Sequence, residues 1–62
     1  GRAFVIEVKV ANTFREMEAG CREAVEQIKR RNYEAALREE GYEVIDSYGI
    51  CFFEKECMVV KV

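Results

Sequence analysis

The chain has 62 residues, half of them hydrophobic, with neither proline nor tryptophan. That composition excludes a linker or disordered tail and leaves room for one domain. Twelve acidic against ten basic residues leave a net charge of −2, too balanced for wholesale attraction to nucleic acid or anionic lipid.

Gly1-Arg2 stands where an initiator methionine would, and a strand-like run begins at once, so the chain is expected to continue upstream. The run Phe4-Val5-Ile6-Glu7-Val8-Lys9-Val10 is rich in β-branched residues and alternates in character. It predicts a strand, Ala3–Val10, with Phe4, Ile6, Val8 and Val10 on one face and Val5, Glu7 and Lys9 on the other. Thr13-Phe14-Arg15-Glu16 has the form of a capping box, which starts a helix near Thr13. Apolar residues then recur at Phe14, Met17, Cys21, Ala24, Val25 and Ile28, one buried helical stripe over Thr13–Arg31. Gly20 inside this helix costs about 1 kcal/mol relative to alanine, so it is either a weakness or a point of close backbone approach.

Lys29-Arg30-Arg31 closes the helix with positive charge, and Tyr33 to Glu40 forms a second helical segment ended by Gly41. Val44–Phe53 and Cys57–Val62 read as strands joined by a charged turn, Glu54-Lys55-Glu56. If Phe53 faces Cys57, then Tyr48, Ile50 and Phe52 share a face with Met58, Val60 and Val62. The predicted layout is β-α-α-β-β.

Below roughly 70–80 residues one core supplies only about 3–5 kcal/mol, so a chain of this size is expected to be a fragment or an oligomer. Cys21, Cys51 and Cys57 lack C-x-x-C spacing, and the chain has no histidine. A structural zinc site is therefore not expected, and the cysteines read as buried, reduced thiols. No apolar run approaches the roughly 18–20 residues of a membrane span, so no membrane partner is expected and the default address is cytoplasmic.

Glu7 and Lys9 are the sharpest feature. Residues i and i+2 on a strand point the same way, about 6.6 Å apart. A carboxylate is a hard ligand for magnesium or manganese, and an ammonium neutralises charge building on a phosphoryl group. The competing reading places both on the wet face of an antiparallel strand, where they only solubilise it. Lys29, Arg30, Arg31 and Arg38 could touch a nucleic-acid backbone. Cations in a helix's last turn also simply complement its dipole, and this second account is preferred.

Several landmarks occur in order along nearly the whole chain: Phe4 to Val10, Ala24-Val25-Glu26-Gln27-Ile28, Tyr33, Glu40-Gly41-Tyr42 and Tyr48-Gly49-Ile50. In this combination the sequence resembles the nuclease-like C-terminal domain of the PD-(D/E)xK superfamily that commonly follows an AAA-type ATPase-like domain. The resemblance implies an α/β fold, the C-terminal part of a restriction-endonuclease-like core, with a mixed sheet in which Ala3–Val10 is central. Residues 1–62 would then be one domain, the C-terminal fragment of a larger one.

The implied activity is metal-dependent hydrolysis of nucleic-acid phosphodiesters, of DNA in preference to RNA. Glu7 corresponds to the metal ligand of the E-x-K motif, Lys9 to its catalytic lysine, and the Val8 carbonyl completes part of the metal shell. Gln27 matches the helix glutamine that orients a water or the lysine; it reads equally well as an ordinary exposed helix residue. The family's other metal-binding aspartate belongs to a strand upstream of Ala3, and Asp46 has no motif to recommend it. Magnesium or manganese is thus expected in the full-length parent and none in the isolated chain, which is expected to be inactive. An alternative of a different class is a non-catalytic module that associates with itself through unpaired strand edges.

Overall fold

In the computed structural model, which describes residues 1–62, the chain folds as β1 (Arg2–Val10), a 3₁₀ turn (Phe14–Glu16), α1 (Met17–Arg31), α2 (Tyr33–Glu39), β2 (Val44–Phe53) and β3 (Glu56–Lys61). The three strands form one mixed sheet in the order β1-β2-β3, with β1 parallel and β3 antiparallel to β2. The β-α-α-β-β layout and the α/β class are those expected from the sequence. Among these strands, however, β2 is central and β1 lies at an edge, not in the middle. The Cα extents are 39 × 20 × 12 Å, thin enough for only two layers, a sheet with helices on one face.

The start of the helix departs in detail from the capping-box expectation. The Thr13 hydroxyl accepts from the Glu16 amide at 3.2 Å, as the pattern requires, but Glu16 reaches back to the Asn12 amide, at 3.3 Å. This early pairing tightens the first turn into 3₁₀ geometry and delays α1 to Met17. Phe14 is consequently outside the buried stripe, 65% exposed, while Met17, Gly20, Cys21, Ala24 and Ile28 are buried. Asn32, in the left-handed conformation with φ 51° and ψ 48°, ends α1 by donating its amide to the Ile28 carbonyl and lets α2 set off in a new direction.

The helix seats itself where the sheet is built of small residues. Gly49 and Cys51 of β2 face α1, and a Cβ on Gly49 would meet Ala24 and Val25 at 3.1 Å and the Cys21 carbonyl at 3.2 Å. A Cβ on Gly20 would lie 2.4 Å from Cys51 Sγ, so this glycine is there for close approach. The Cys21 thiol donates to the Met58 carbonyl at 3.0 Å and ties the helix to β3.

Two expectations about the hairpin and the thiols need correction. Phe53 pairs with Glu56, not Cys57, across a two-residue turn in which Glu54 takes φ +52°. That one-residue shift flips β3, so Met58 and Val60 lie on the helix side with Cys51 and Gly49, and Cys57, Val59 and Lys61 share the open face with Phe52, Ile50 and Tyr48. All three cysteines are free thiols, but Cys57 is exposed by the same shift, whereas Cys21 and Cys51 are buried.

The open face has no helix over it. Phe4, Ile6, Val8 and Val10 of β1 are 59, 56, 50 and 77% exposed, and Phe52 and Val59 continue the apolar surface. No helix is long and apolar enough to cross a membrane.

Candidate functional site

Strand alternation divides β1 into two faces with different neighbours. The odd-numbered residues Ala3, Val5, Glu7 and Lys9 are half-buried and the even-numbered ones exposed. Glu7 stands opposite Gly49 and Lys9 opposite Cys51, both on the α1 side. The E-x-K pair therefore does not line the open face of an antiparallel strand. It projects under the helix layer from a parallel one.

The main chain of β1 alternates as well. At its ends the Gly1 carbonyl accepts from the Val44 amide at 3.1 Å, and the Ala11 amide donates to the Phe52 carbonyl at 2.7 Å. In a parallel ladder only every second residue bonds a given neighbour, so the odd residues turn their amides and carbonyls towards β2. The even residues, Val8 among them, turn theirs to the free edge. Glu7 and Lys9 are thus separated along one face by a carbonyl directed at the space beyond the sheet.

Each side chain of the pair opens into its own cleft. Glu7 lines a cleft of ≈ 400 Å³ between β1 and α2, with Val5, Ile6, Tyr33, Leu37 and Glu40. Lys9 lines one of ≈ 290 Å³ below the start of α1, with Asn12, Glu16, Gly20 and Glu23. Successive turns of α1 connect the two, because residues four apart on a helix are neighbours. Glu23, Gln27 and Arg31 form one row, with Glu23 in the Lys9 cleft and Arg31 near Glu7. Gln27 stands between them, and its Oε1 is buried without a hydrogen-bond partner.

At the far end of the row, Arg31 donates to the Tyr33 hydroxyl at 2.9 Å. This bond, then the charge of a tyrosinate at Tyr33 where pH is high enough to form one, then the Glu7 carboxylate, raise the pKa of the exposed Arg31 guanidinium. The sequence alone points to the helix dipole for Arg31 and gives Tyr33 no part in a site. The signal available was the arginine and tyrosine flanking an asparagine able to break the helix. Lys29 faces a different cleft with Ser47 and Val62, while Arg38 is occupied by Glu34 at 2.8 Å and the Glu43 carbonyl at 3.3 Å.

The donor set for a divalent cation is incomplete on this chain. Glu7 and the outward Val8 carbonyl are oxygen donors, but no three His, Cys, Asp or Glu side chains come close enough together to hold a metal. Asp46, opposite Phe4, lies on the open face and binds Lys61 at 3.5 Å and Arg2 at 3.8 Å, so it cannot join Glu7. Two oxygens fall well short of the roughly six that magnesium takes.

The sequence profile of the PD-(D/E)XK nuclease superfamily matches residues 1–62. No curated protein and no solved structure matches the chain significantly.

Proposed function

Because the chain belongs to the PD-(D/E)XK nuclease superfamily over residues 1–62, we propose that it is the E-x-K half of a metal-dependent nuclease acting on nucleic-acid phosphodiesters, DNA in preference to RNA. One observation carries the reading: Glu7 and Lys9 lie on one half-buried face of an edge strand, and the main chain of Val8 between them is directed off the sheet. Glu7 and the Val8 carbonyl would supply part of the oxygen shell of magnesium or manganese. The remaining ligand, an aspartate, would come from a strand laid on the free edge of β1, in a parent that also carries an AAA-type ATPase-like domain.

The other roles belong to this chain's own groups. The Lys9 ammonium is placed to neutralise charge on a phosphoryl oxygen, which accelerates hydrolysis only so far as that charge grows in the transition state. The Gln27 Oε1 is a buried acceptor without a donor, suited to a water or to Lys9 once substrate has displaced solvent. Three free thiols accord with a reducing, cytoplasmic setting. The test is cleavage of single- and double-stranded DNA and of RNA by the natural parent protein with magnesium or manganese. Activity that disappears in Lys9→Ala, with the fold intact, supports the reading; no cleavage by the wild type on any substrate refutes it.

A second reading, a non-catalytic assembly module, rests on a different observation. The uncovered face and the unpaired edge of β1 together present apolar surface and free main-chain groups. Sedimentation showing one monomeric species from micromolar to millimolar concentration would count against it.

A further inference from the structure

Glu7 and Arg31 carry opposite charges near one cleft, and the Glu7 carboxylate helps hold the Arg31 guanidinium protonated, yet neither takes part in any of the ion pairs of the structure. Those pairs neutralise Arg2, Arg22, Arg38 and Lys61 instead. The Arg31 guanidinium makes one hydrogen bond, from one terminal nitrogen to the Tyr33 hydroxyl at 2.9 Å. Its remaining N–H groups have no partner, and Tyr33 itself lines the Glu7 cleft.

A cation that merely complements the helix dipole needs no fixed orientation and points at the terminal carbonyls. Arg31 instead is held side chain to side chain. A guanidinium steadied on one edge and open on the others presents the planar fork that phosphate oxygens match bidentately. The neighbouring carboxylate would repel a phosphate without such a counter-charge. The pair therefore suits an anion held beside, and not on, Glu7.

We propose that Arg31, oriented by the Tyr33 hydroxyl, binds a backbone phosphate of nucleic acid at the end of the Glu7 cleft. The inference rests on the nuclease reading for the identity of the phosphate, a phosphodiester, and adds to it where the strand enters. Arg31 contacts the substrate; Tyr33 is a positioning residue. Lys29, two residues earlier on the same helix and facing the Ser47 and Val62 cleft, contributes nothing to this subsite.

Binding alone tests this, with the full chain and fluorescently labelled single-stranded and duplex DNA in EDTA, so that cleavage does not enter. Circular dichroism establishes that each variant is folded. Arg31→Ala is expected to weaken binding by about tenfold or more, the value of a charge-assisted bond. On duplex the slope of log affinity against log salt should fall by about 0.9, one phosphate contact. Arg31→Lys keeps the charge and should restore the slope but not the full affinity, while Tyr33→Phe should lower affinity and leave the slope unchanged. Lys29→Ala removes the same charge elsewhere and should cost less than about twofold at physiological salt.

Equal losses in Arg31→Ala and Lys29→Ala, with wild-type binding intact, overturn the subsite and leave the nuclease reading untouched. No binding by the wild-type chain also overturns the subsite, whereas the nuclease reading is decided separately by cleavage in the parent.

Discussion

Gly20 of α1 and Cys51 of β2 meet so closely across the helix–sheet interface that a Cβ on the glycine would lie 2.4 Å from the cysteine sulfur. Alanine at this position gains about 1 kcal/mol of helix propensity, but overpacking a close contact costs about 1–3 kcal/mol. The clash also displaces the helix from Lys9, whose Cβ is 3.9 Å from the same point. Gly20→Ala is expected to lower the denaturant midpoint. Adding Cys51→Ala, which removes the sulfur, should recover most of the loss. A more stable single variant, or strictly additive effects in the pair, would contradict this account.

The E-x-K pair and Gln27 should separate by magnitude in the natural parent protein. Loss of Lys9, an electrostatic group, is expected to reduce metal-dependent cleavage by about 10²–10³-fold, and loss of Glu7 by at least as much. Gln27→Ala acts through a neighbour and should cost roughly tenfold to a hundredfold. Chelation of the metal should abolish wild-type cleavage outright. Single-turnover rates, with thermal unfolding as control, check the ranking; a Gln27 effect exceeding that of Lys9 would reverse the assigned roles.

The two faces of the sheet should respond differently to truncation. Met17, 2% exposed, packs with Cys21 and Cys51, and Met17→Ala is expected to cost about 2–5 kcal/mol. Val10, 77% exposed, should tolerate Val10→Ser within about 0.5 kcal/mol in dilute solution. Urea unfolding of both variants at several protein concentrations tests this. A Val10→Ser cost that grows with concentration would mark the open face as an assembly surface.

The three thiols should differ in reactivity. Burial, opposed by a backbone hydrogen bond at Cys51, raises the Cys21 thiol above its usual 9.0. The folded state therefore favours the protonated form. Its stabilising effect is fully present below pH 9.0 and is lost as pH rises through the higher folded-state value, because the unfolded chain ionises first. A urea midpoint that falls over this window in the wild type, and less in Cys21→Ala, is the expected result. Under native conditions an alkylating reagent should modify exposed Cys57 first, with Cys21 and Cys51 reacting only on unfolding. Equal labelling rates would refute the hairpin register.

Much of this fold was legible because periodicity reports it directly. The Val44–Phe53 strand, the Arg31 end of α1 and the Gly41 stop of α2 follow from alternation, charge and glycine, and the structure has them there. The β3 register was not legible, since a left-handed residue in a tight turn is usually announced by glycine or asparagine, and here it is Glu54. Alternation also could not say which face of β1 the helix covers. Hydropathy points to Phe4, Ile6, Val8 and Val10, but the helix lies on the side where Gly49 and Cys51 of the neighbouring strand leave room. Volume on β2 decided what apolarity on β1 suggested otherwise. Glu7 and Lys9 were recognisable as a pair from spacing, whereas the link from Arg31 to Tyr33 depends on a bend at Asn32, a residue that permits a left-handed break without requiring one.

That bend sits at Asn32. On one continuous helix, residues two apart stand about 200° around the axis from each other and do not meet. Arg31 and Tyr33 touch only because a single left-handed residue between them redirects the chain. The guanidinium–hydroxyl bond is accordingly a gauge of the break, made while the helix is bent and lost if it straightens. Asn32 brings no reactive group to the cleft, yet its two dihedral angles set the distance between a cation on one helix and a ring on the next. A substitution that made the left-handed conformation costly would disconnect Tyr33 from Arg31 without altering either side chain.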